Sequence, residues 1–283
     1  MENITDIQRI RERLGRNTVL NAVIGFPLDH TLSPSLHNAL YAAAGIDAHL
    51  VPLSKENLNE LVESIRFNDI QLTAVTMPFK QSIIPFLDLV DDEAVKLGAV
   101  NTVIKKEGSL IGYNTDIVGI RSALEDVAIK NKNVLLLGVG GAALPVAHVI
   151  KQAGGRLLVW NRSQDAAQKF AHKFGGIVAN FEQIKAKNID MIINATPVGM
   201  YPNVNESPLP LDLLSAHQIV FDLVYRPMQT KLLKDAQSKG IKTIFGMKMF
   251  IAQALEQIRL WSGSDLTKFV SESELISLLS GSL

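Results

Sequence analysis

Short apolar runs separated by longer stretches of mixed character recur along most of the chain. Runs of this kind are typical of buried strands, whereas apolar residues at helical spacing predict amphipathic helices. Helices are predicted at Lys55–Arg66, Asp91–Leu97, Thr230–Ser238 and from Gly246 to about Trp261. The predicted strands are Val19–Ile24, Ala48–Pro52, Leu72–Thr76, Val134–Gly138, Arg156–Trp160, Met191–Asn194, Ile219–Leu223 and Lys242–Phe245, with two more around Glu107-Gly108. Alternation of strand and helix predicts an α/β protein with mostly parallel sheets.

The chain is long enough for two domains. It has 283 residues, of which 47% are hydrophobic, and this supports more than one core. Ahead of the first strand, Ile4, Ile7, Ile10 and Leu14 recur at roughly helical spacing among charged residues. They predict a short amphipathic helix that docks on the surface or on a partner.

A glycine-rich turn follows one of the buried strands. Asn133 to Ala142 reads Asn-Val-Leu-Leu-Leu-Gly-Val-Gly-Gly-Ala, a strand that leads into a helix. Glycines let the backbone approach a ligand closely, and the helix start directs N–H groups at a pyrophosphate. The turn predicts a dinucleotide site formed by Gly138, Val139, Gly140, Gly141 and Ala142. Close packing alone also explains such a turn.

The next predicted strand ends in Asn161-Arg162-Ser163. A site that prefers NAD carries Asp or Glu near this position to bind the ribose hydroxyls. An arginine instead suits the 2′-phosphate of NADP, as a charge-assisted partner. The alternative is a solvated arginine at the end of a strand.

Three other predicted strands or hairpins end in polar residues. Thr31 and Ser33 follow the first strand, Lys80 follows the third, and Asn114-Thr115-Asp116 follows the hairpin. Open α/β sheets bind ligands at the carboxyl ends of their strands, so these tips predict a substrate site. Helix capping by Ser33, a helix start at Lys80 and turn chemistry at 114–116 are the structural alternatives.

Composition excludes several classes of function. Lys plus Arg equal Asp plus Glu at 28 each, and there is no cysteine. Nothing therefore favours nucleic acid or a charged membrane surface, and thiolate chemistry is excluded. The six His residues show no metal-ligand spacing, so no metal is predicted. The polar start and the lack of a long apolar run predict a soluble cytoplasmic protein.

Eight sequence motifs occur in an order known from one enzyme family. They are Gly-Phe-Pro-Leu-Asp-His-Thr-Leu-Ser-Pro with His37-Asn38, Val-Thr-Met-Pro-Phe-Lys at 75–80, Gly-Ala-Val-Asn-Thr at 98–102, Asn-Thr-Asp at 114–116, Gly-Val-Gly-Gly-Ala at 138–142, Asn-Arg-Ser at 161–163, Asn-Ala-Thr at 194–196, and 246–253. With these motifs the chain resembles shikimate dehydrogenases from about Leu20 onward.

The resemblance implies two domains and a reaction. An open, mostly parallel α/β substrate domain would comprise 1–115 and 247–283, and a Rossmann dinucleotide-binding domain would comprise 116–246, with a cleft between them. The implied activity is the reversible NADP-dependent reduction of 3-dehydroshikimate to shikimate, in chorismate and aromatic amino acid biosynthesis.

The family's functional positions map onto this chain by its motifs. Lys80 and Asp116 match the catalytic pair, and a Lys and an Asp side by side suit proton transfer during alcohol oxidation. The substrate positions are Thr31, Ser33, Thr76, Asn101, Tyr225 and Gln253. Thr196 and Gly246 join the glycine turn and Asn161–Ser163 as cofactor positions.

Two departures from the family pattern bear on specificity. Thr31 stands where relatives usually have Ser, and its methyl group would crowd the carboxylate end of the substrate, favour quinate or have no effect. Ala166 and Leu144 stand where relatives often have basic residues, which predicts a weakened preference for NADP over NAD. The alternatives are a quinate/shikimate dehydrogenase with relaxed NAD/NADP use and a non-catalytic nucleotide-binding protein. A monomer or a homodimer is expected.

Overall fold

The computed structural model describes residues 7, 10, 12–15, 17–29, 31–180, 182, 184 and 189–280. These residues form two compact units. The first unit contains the described parts of Met1–Thr115 and Gln253–Ser282, and the second contains those of Asp116–Ala252. Both ends of the chain therefore contribute to the first unit.

The first unit is built on a mixed sheet. Its elements up to residue 115 are β1 Val19–Gly25, α1 Ser33–Ala43, β2 Ala48–Ser54, α2 Leu58–Phe67, β3 Leu72–Val75, β4 Leu89–Val90, α3 Asp92–Leu97, β5 Thr102–Lys106 and β6 Ser109–Tyr113. The strand order is β2-β1-β3-β5-β6-β4. β1 runs parallel to β2 and β3, whereas β5 runs antiparallel to both β3 and β6. The predicted hairpin around Glu107-Gly108 is confirmed as β5–β6.

The register of this sheet brings several strand ends to one edge. Ile24 at the end of β1 pairs with Val75 at the end of β3, and Ala74 pairs with Thr102 at the start of β5. Thr102 in turn pairs with Tyr113 at the end of β6. Because β5 is antiparallel, its start lies beside the ends of its neighbours. The loops that follow β1, β3 and β6 therefore leave the sheet from the same side.

The core of the first unit includes part of the predicted N-terminal helix. Ile7 is helical and fully buried in this core, and Ile10 and Leu14 pack against it. Burial of these side chains confirms the expected apolar face for the residues concerned. Ile4 lies outside the described residues.

The second unit contains a parallel sheet. Its elements are α4 Asp116–Ala123, β7 Asn133–Leu137, α5 Ala143–Gln152, β8 Arg156–Trp160, α6 Gln164–Phe174, β9 Ile177–Val178, β10 Met191–Asn194, β11 Ile219–Asp222, α7 Lys231–Ser238 and β12 Lys242–Phe245. The strand order β12-β11-β10-β7-β8-β9 reverses direction between β7 and β10, as in dinucleotide-binding folds. Ligands of such sheets bind at the carboxyl ends of the strands beside this reversal.

Two further helices complete the fold. They are α8 Gly246–Ser262 and α9 Glu272–Ser280. A Cβ atom on Gly246 would lie 2.6 Å from the carbonyl oxygen of Leu223, so only glycine lets α8 start so close to this backbone. Among the described helices, none has the length and apolar character that crossing a membrane requires.

The strands predicted from apolar runs are all present, with ends that differ by at most two residues. The α/β fold class with parallel-rich sheets is confirmed. Apolar runs did not reveal β4 and β9, which have two residues each. A two-residue strand is too short to show a period and forms only because a longer neighbour offers free backbone groups.

Candidate functional site

The loop after β1 places Thr31 and Ser33 at the edge where the strand ends meet. Ser33 is the first residue of α1 and is buried, and its backbone N–H donates to the Thr31 Oγ1 over 3.3 Å. The residue at the helix cap is Leu32, which supplies no side-chain hydrogen bond. The alternative in which Ser33 caps the helix is therefore wrong.

The turn after β3 carries Thr76 and Lys80. The backbone N–H of Thr76 donates to Ile24 over 2.9 Å, and a Cβ on Gly25 would lie 2.5 Å from Thr76 Cγ2. Glycine at position 25 is thus needed for the ends of β1 and β3 to lie together. The Lys80 carbonyl oxygen accepts a 2.7 Å hydrogen bond from the N–H of Val100. This bond fixes the backbone of Lys80 beside the residue that precedes Asn101.

Asn101 connects the start of β5 with the end of β6. Its Oδ1 accepts hydrogen bonds from the backbone N–H of Thr115 (2.7 Å) and the hydroxyl of Thr102 (2.8 Å). Its Nδ2 donates to the Thr115 hydroxyl over 3.0 Å. All three side chains are buried. Asp116, which is also buried, follows Thr115 directly as the first residue of α4.

Two buried polar residues that the motifs did not assign to the site extend this cluster. His37 on α1 contacts the Ser33 carbonyl oxygen through Nδ1 (2.9 Å) and the Gln257 Oε1 through Nε2 (3.0 Å). Gln257 lies on α8, one helical turn after the buried candidate Gln253. The sequence signal that could have identified them is a polar side chain at an otherwise apolar helix position.

The glycine-rich turn of the second unit has the features that an anion site needs. Gly138 has a φ of 91°, and a Cβ there would lie 2.8 Å from Thr196 Cγ2. A Cβ on Gly140 would meet no atom within 4 Å, so this residue faces open space. α5 begins after Ala142, which offers no side-chain cap to its N–H groups. Val139 and Gly141 lie between these residues in the same turn.

The end of β8 lies beside this turn, because Trp160 pairs with Leu137 at the end of β7. Arg162 is exposed there. The Asn161 amide donates to the Ser163 carbonyl over 3.1 Å, and the Ser163 hydroxyl accepts from Ala166 N–H over 3.4 Å as the cap of α6. Asn161 and Ser163 thus shape the turn that presents Arg162.

A buried carboxylate joins the loops after β10 and β11. Asp222 accepts hydrogen bonds from Asn194 Nδ2 (2.9 Å), the Val224 N–H (3.0 Å) and the Thr230 hydroxyl (2.7 Å). Burial raises the pKa of Asp222 to about 6, although these donors oppose the shift. Asn194 Oδ1 in turn accepts from both the N–H and the hydroxyl of Thr196. The candidate Thr196 is therefore held by this network.

Tyr225 lies in the second unit, in the loop after β11. Its ring stacks on Phe250 with centroids 4.2 Å apart and an interplanar angle of 17°. Burial of the Tyr225 hydroxyl raises its pKa to about 12, and the negative charge of the Asp116 carboxylate is a smaller cause of the same rise. Tyr225 and Asp116 are thus close enough to interact electrostatically.

The candidate residues fall into two groups within the two units. Thr31, Ser33, Thr76, Lys80, Asn101 and Gln253 belong to the first unit. Asp116, Gly138–Ala142, Asn161–Ser163, Thr196, Tyr225 and Gly246 belong to the second. The first group carries hydroxyl, amide and amine side chains, which suit a small polar substrate, and the second includes the glycine-rich turn, which suits a pyrophosphate.

Two protein families match successive parts of the chain. The shikimate dehydrogenase substrate binding domain matches residues 23–103, within the first unit. The family described as shikimate / quinate 5-dehydrogenase matches residues 121–205, within the second. The matches cover the edge with Lys80 and the glycine-rich turn, respectively.

Relatives of known identity match over most of their length. Shikimate dehydrogenase (NADP(+)) of Pyrococcus abyssi is 42% identical over 244 residues, covering 85% of this chain and 91% of that protein. The crystal structure of shikimate dehydrogenase from Aquifex aeolicus has a TM-score of 0.86 at 35% identity, covering 94% of this chain and 99% of its own. Shikimate 5-dehydrogenase of Thermus thermophilus, in complex with NADP(H) and shikimate, has a TM-score of 0.85 at 33% identity, covering 94% and 100%. This chain belongs to the shikimate dehydrogenase family.

Proposed function

We propose that the protein catalyses the reversible NADP-dependent reduction of 3-dehydroshikimate to shikimate. The observation that supports this proposal is the sheet edge of the first unit, where the loops after β1, β3 and β6, which carry the candidate residues, leave the sheet from the same side. The relative from Pyrococcus abyssi is named a shikimate dehydrogenase that uses NADP(+). The structure from Thermus thermophilus contains NADP(H) and shikimate.

The substrate would be held by the six candidate substrate residues. One residue separates Thr31 from Ser33, and the Thr31 hydroxyl accepts a hydrogen bond from the Ser33 N–H. Together the two hydroxyls suit a carboxylate. Thr76, Asn101, Gln253 and Tyr225 would bind the ring hydroxyls. These residues come from different loops and helices, so together they can recognise substituents on several sides of a small ring.

Lys80 and Asp116 would form the catalytic pair. Oxidation of a secondary alcohol removes a hydride and a proton, and bound NADP supplies the hydride acceptor. The protein must then move the proton between the substrate hydroxyl and a side chain. The Val100 N–H donates to the Lys80 carbonyl oxygen. The side chain of its neighbour Asn101 accepts from the N–H of Thr115, the residue directly before Asp116. The pair would hold the proton together, with either side chain as the acceptor.

NADP would bind at the glycine-rich turn of the second unit. The uncapped start of α5 and the open space at Gly140 fit a pyrophosphate, and the exposed Arg162 fits a 2′-phosphate. Leu144 is buried and Ala166 has no charge, so neither adds a second cation at these positions. We therefore propose a preference for NADP that is weaker than one supported by several basic residues.

The wider assignments belong to the same proposal. Residues 1–115 and 247–283 would form the substrate domain, and 116–246 would form the NADP domain, although in the structure the residues up to Ala252 group with the second unit. A cytoplasmic monomer or homodimer stays our expectation.

One set of assays tests the function. Purified protein is given shikimate or quinate with NADP or NAD, and reduced cofactor is measured. We expect the highest kcat/KM with shikimate and NADP. Higher efficiency with quinate would favour the quinate dehydrogenase alternative, and the absence of turnover with every combination would favour a nucleotide-binding protein without this activity.

A further inference from the structure

Two buried polar side chains stand at the ends of neighbouring strands in the second unit. Asn194 ends β10 and Asp222 ends β11, and the strand register pairs the two residues. Both are completely buried, and Asn194 Nδ2 donates to Asp222 Oδ1 over 2.9 Å. Asn194 also pairs with Leu137, the last residue before the glycine-rich turn. The two side chains therefore lie at the carboxyl edge of the sheet, and they have no role in the reaction proposed above.

The orientation of the Asn194 amide is fixed by its partners. The backbone N–H of Thr196 only donates, so the amide atom 3.0 Å from it must be the oxygen. The amide nitrogen then faces the Asp222 carboxylate, which accepts its hydrogen bond. A half-turn of the amide would set its nitrogen against the Thr196 N–H and its oxygen against the carboxylate. The amide of Asn194 therefore connects Asp222 with Thr196 in one orientation.

Thr196 is the end of this connection on the cofactor side. Its hydroxyl donates to Asn194 Oδ1 over 2.6 Å and accepts from the N–H of Val198 over 3.2 Å. Thr196 itself is partly exposed. Its methyl carbon would lie 2.8 Å from a Cβ on Gly138, so it packs closely against the glycine-rich turn. The buried amide thus holds a side chain at the surface of the proposed NADP site.

A second connection runs from the same carboxylate towards Tyr225. Asp222 Oδ1 also accepts from the N–H of Val224, the residue directly before Tyr225, over 3.0 Å. Its Oδ2 accepts from the hydroxyl of Thr230, which caps α7, over 2.7 Å. Tyr225 is partly exposed, whereas Asp222, Val224 and Thr230 are buried. The carboxylate therefore holds the start of the loop that presents a proposed substrate residue.

The partners of Asp222 fit an ionised carboxylate. Each of the three described groups that hydrogen-bond to its oxygens is a donor, and the ionised form only accepts. Burial raises the pKa of Asp222 to about 6. Assays at pH 8 therefore keep the side chain ionised and separate the effect of its geometry from the effect of its titration.

We propose that Asp222 and Asn194 are positioning residues. Asp222 directly holds the backbone before Tyr225. Through Asn194, the same carboxylate holds Thr196. The inference rests on the proposed function, which gives Tyr225 a role towards shikimate and Thr196 a role towards NADP. It predicts an order of effects: loss of the Asn194 amide affects the cofactor alone, whereas loss of the Asp222 carboxylate affects cofactor and substrate.

The first test is Asn194→Leu, which replaces the amide by an apolar group of similar size. It removes the acceptor of the Thr196 hydroxyl and leaves the bond between Asp222 and the Val224 N–H. Calorimetric titration of the protein with NADP, without substrate, should show Kd raised about twofold to tenfold, because a side chain that is no longer held must be ordered on binding. KM for shikimate at saturating NADP should stay the same, and so should kcat.

The second test varies Asp222 itself. Asp222→Ala removes both connections, so Kd for NADP and KM for shikimate should each rise about twofold to tenfold. Asp222→Asn keeps an oxygen that can face Asn194 and the Val224 N–H, while its amide nitrogen can donate to the Thr230 hydroxyl. This conservative variant should therefore keep both values of the parent. A residue that only stabilises the fold would change the unfolding temperature without this pattern.

Asp190→Ala is the matched control. Asp190 precedes β10 at the other end of that strand, and its carboxylate accepts the N–H of Asn133 over 2.8 Å. We expect this variant to lower the unfolding temperature and to leave Kd for NADP and KM for shikimate unchanged. An unchanged Kd in Asn194→Leu, or an equal rise in Asp190→Ala, would overturn the positioning role.

The Asp222 variants and the parent give the remaining outcomes. If Asp222→Asn raises Kd and KM as much as Asp222→Ala does, the proposal fails. If Asp222→Ala does not fold, a raised Kd in Asn194→Leu with parent values in Asp222→Asn supports the proposal, and the converse refutes it. If the parent turns over neither shikimate nor quinate, the proposed function fails together with the substrate role of Tyr225. The NADP titrations then still decide whether Asn194 positions Thr196.

Discussion

The backbone N–H of Thr115 donates a 2.7 Å hydrogen bond to Oδ1 of Asn101, a residue 14 positions earlier in the chain. This bond holds the end of β6 against the start of β5 at the point where the chain continues into Asp116. The N–H of the neighbouring Val100 donates to the Lys80 carbonyl oxygen, so the same short segment holds the backbone of Lys80 and that of Thr115, the residue before Asp116.

Replacing Lys80 or Asp116 by Ala should lower kcat with shikimate about 100-fold to 10,000-fold, because proton transfer by a positioned side chain contributes this much. The affinity for NADP, measured by fluorescence titration, should stay the same. Lys96→Ala is the matched control, since Lys96 is an exposed lysine in the last turn of α3. Full turnover in the Lys80 and Asp116 variants would place the chemistry elsewhere.

Thr31→Val should reduce kcat/KM for shikimate about tenfold to 100-fold, because it removes a hydroxyl that would bind a carboxylate. Thr31→Ser keeps the hydroxyl and the hydrogen bond from Ser33 N–H, so it should stay close to the parent. Assays of the same two variants with quinate show whether the methyl group of Thr31 changes the preference between shikimate and quinate. Equal efficiency of Thr31→Val and the parent would show that Thr31 only shapes its loop.

Gly140→Ala should weaken NADP binding without affecting folding. A Cβ at this position meets no protein atom within 4 Å, so any loss must come from contact with the ligand. Gly138→Ala is the contrasting variant, since φ is 91° and the Cβ would lie 2.8 Å from Thr196. We expect Gly138→Ala to lower thermal stability as well. Unchanged NADP affinity in Gly140→Ala would show that this turn does not contact the pyrophosphate.

Arg162→Ala should lower the ratio of kcat/KM with NADP to that with NAD by about tenfold to 100-fold, the value of a hydrogen bond between charged groups. Efficiency with NAD should change little. Arg156→Ala serves as the control, because Arg156 is also exposed but lies at the opposite end of β8. A variant that keeps the parent's full preference would identify Arg162 as a solvated residue.

Asp222 should make the protein less stable as the pH rises from about 4 to about 6. Burial raises its pKa from 3.8 to about 6, so the folded state binds the proton more tightly than the unfolded state does. The stabilisation is complete below pH 4 and is lost as the pH rises through the folded pKa. The rise of the Asp222 pKa from 3.8 to about 6 corresponds to roughly 3 kcal/mol of stability.

The isosteric variant Asp222→Asn isolates this contribution. Urea unfolding of parent and variant is compared at several pH values, and the stability of the parent relative to the variant should fall across this range. The comparison is needed because His37, with a lowered pKa, contributes a pH dependence of opposite sign in the same interval. A constant difference between the two proteins would show that Asp222 does not titrate there.

The existence and order of the main elements could be predicted from the residues alone. Buried parallel strands such as β7 and β10 consist of continuous apolar runs because both of their faces are covered. Local chemistry also fixed several ends: Thr230 caps α7 and Gly45, with a φ of 65°, follows α1. The motif around Gly138 indicates a nucleotide site without knowledge of the strand pairing, because a tight glycine turn is a local feature.

The sequence determined which residue types stand at the strand ends, and the tertiary structure decided which of them meet. The antiparallel placement of β5 between β3 and β6 brings Asn101 to Thr115, and no periodicity encodes the order of strands in a sheet. The link from His37 to Gln257 spans 220 residues and depends on how α8 packs in the first unit. Burial of polar side chains is tolerated only when distant partners satisfy them, so such networks become visible only in the folded chain.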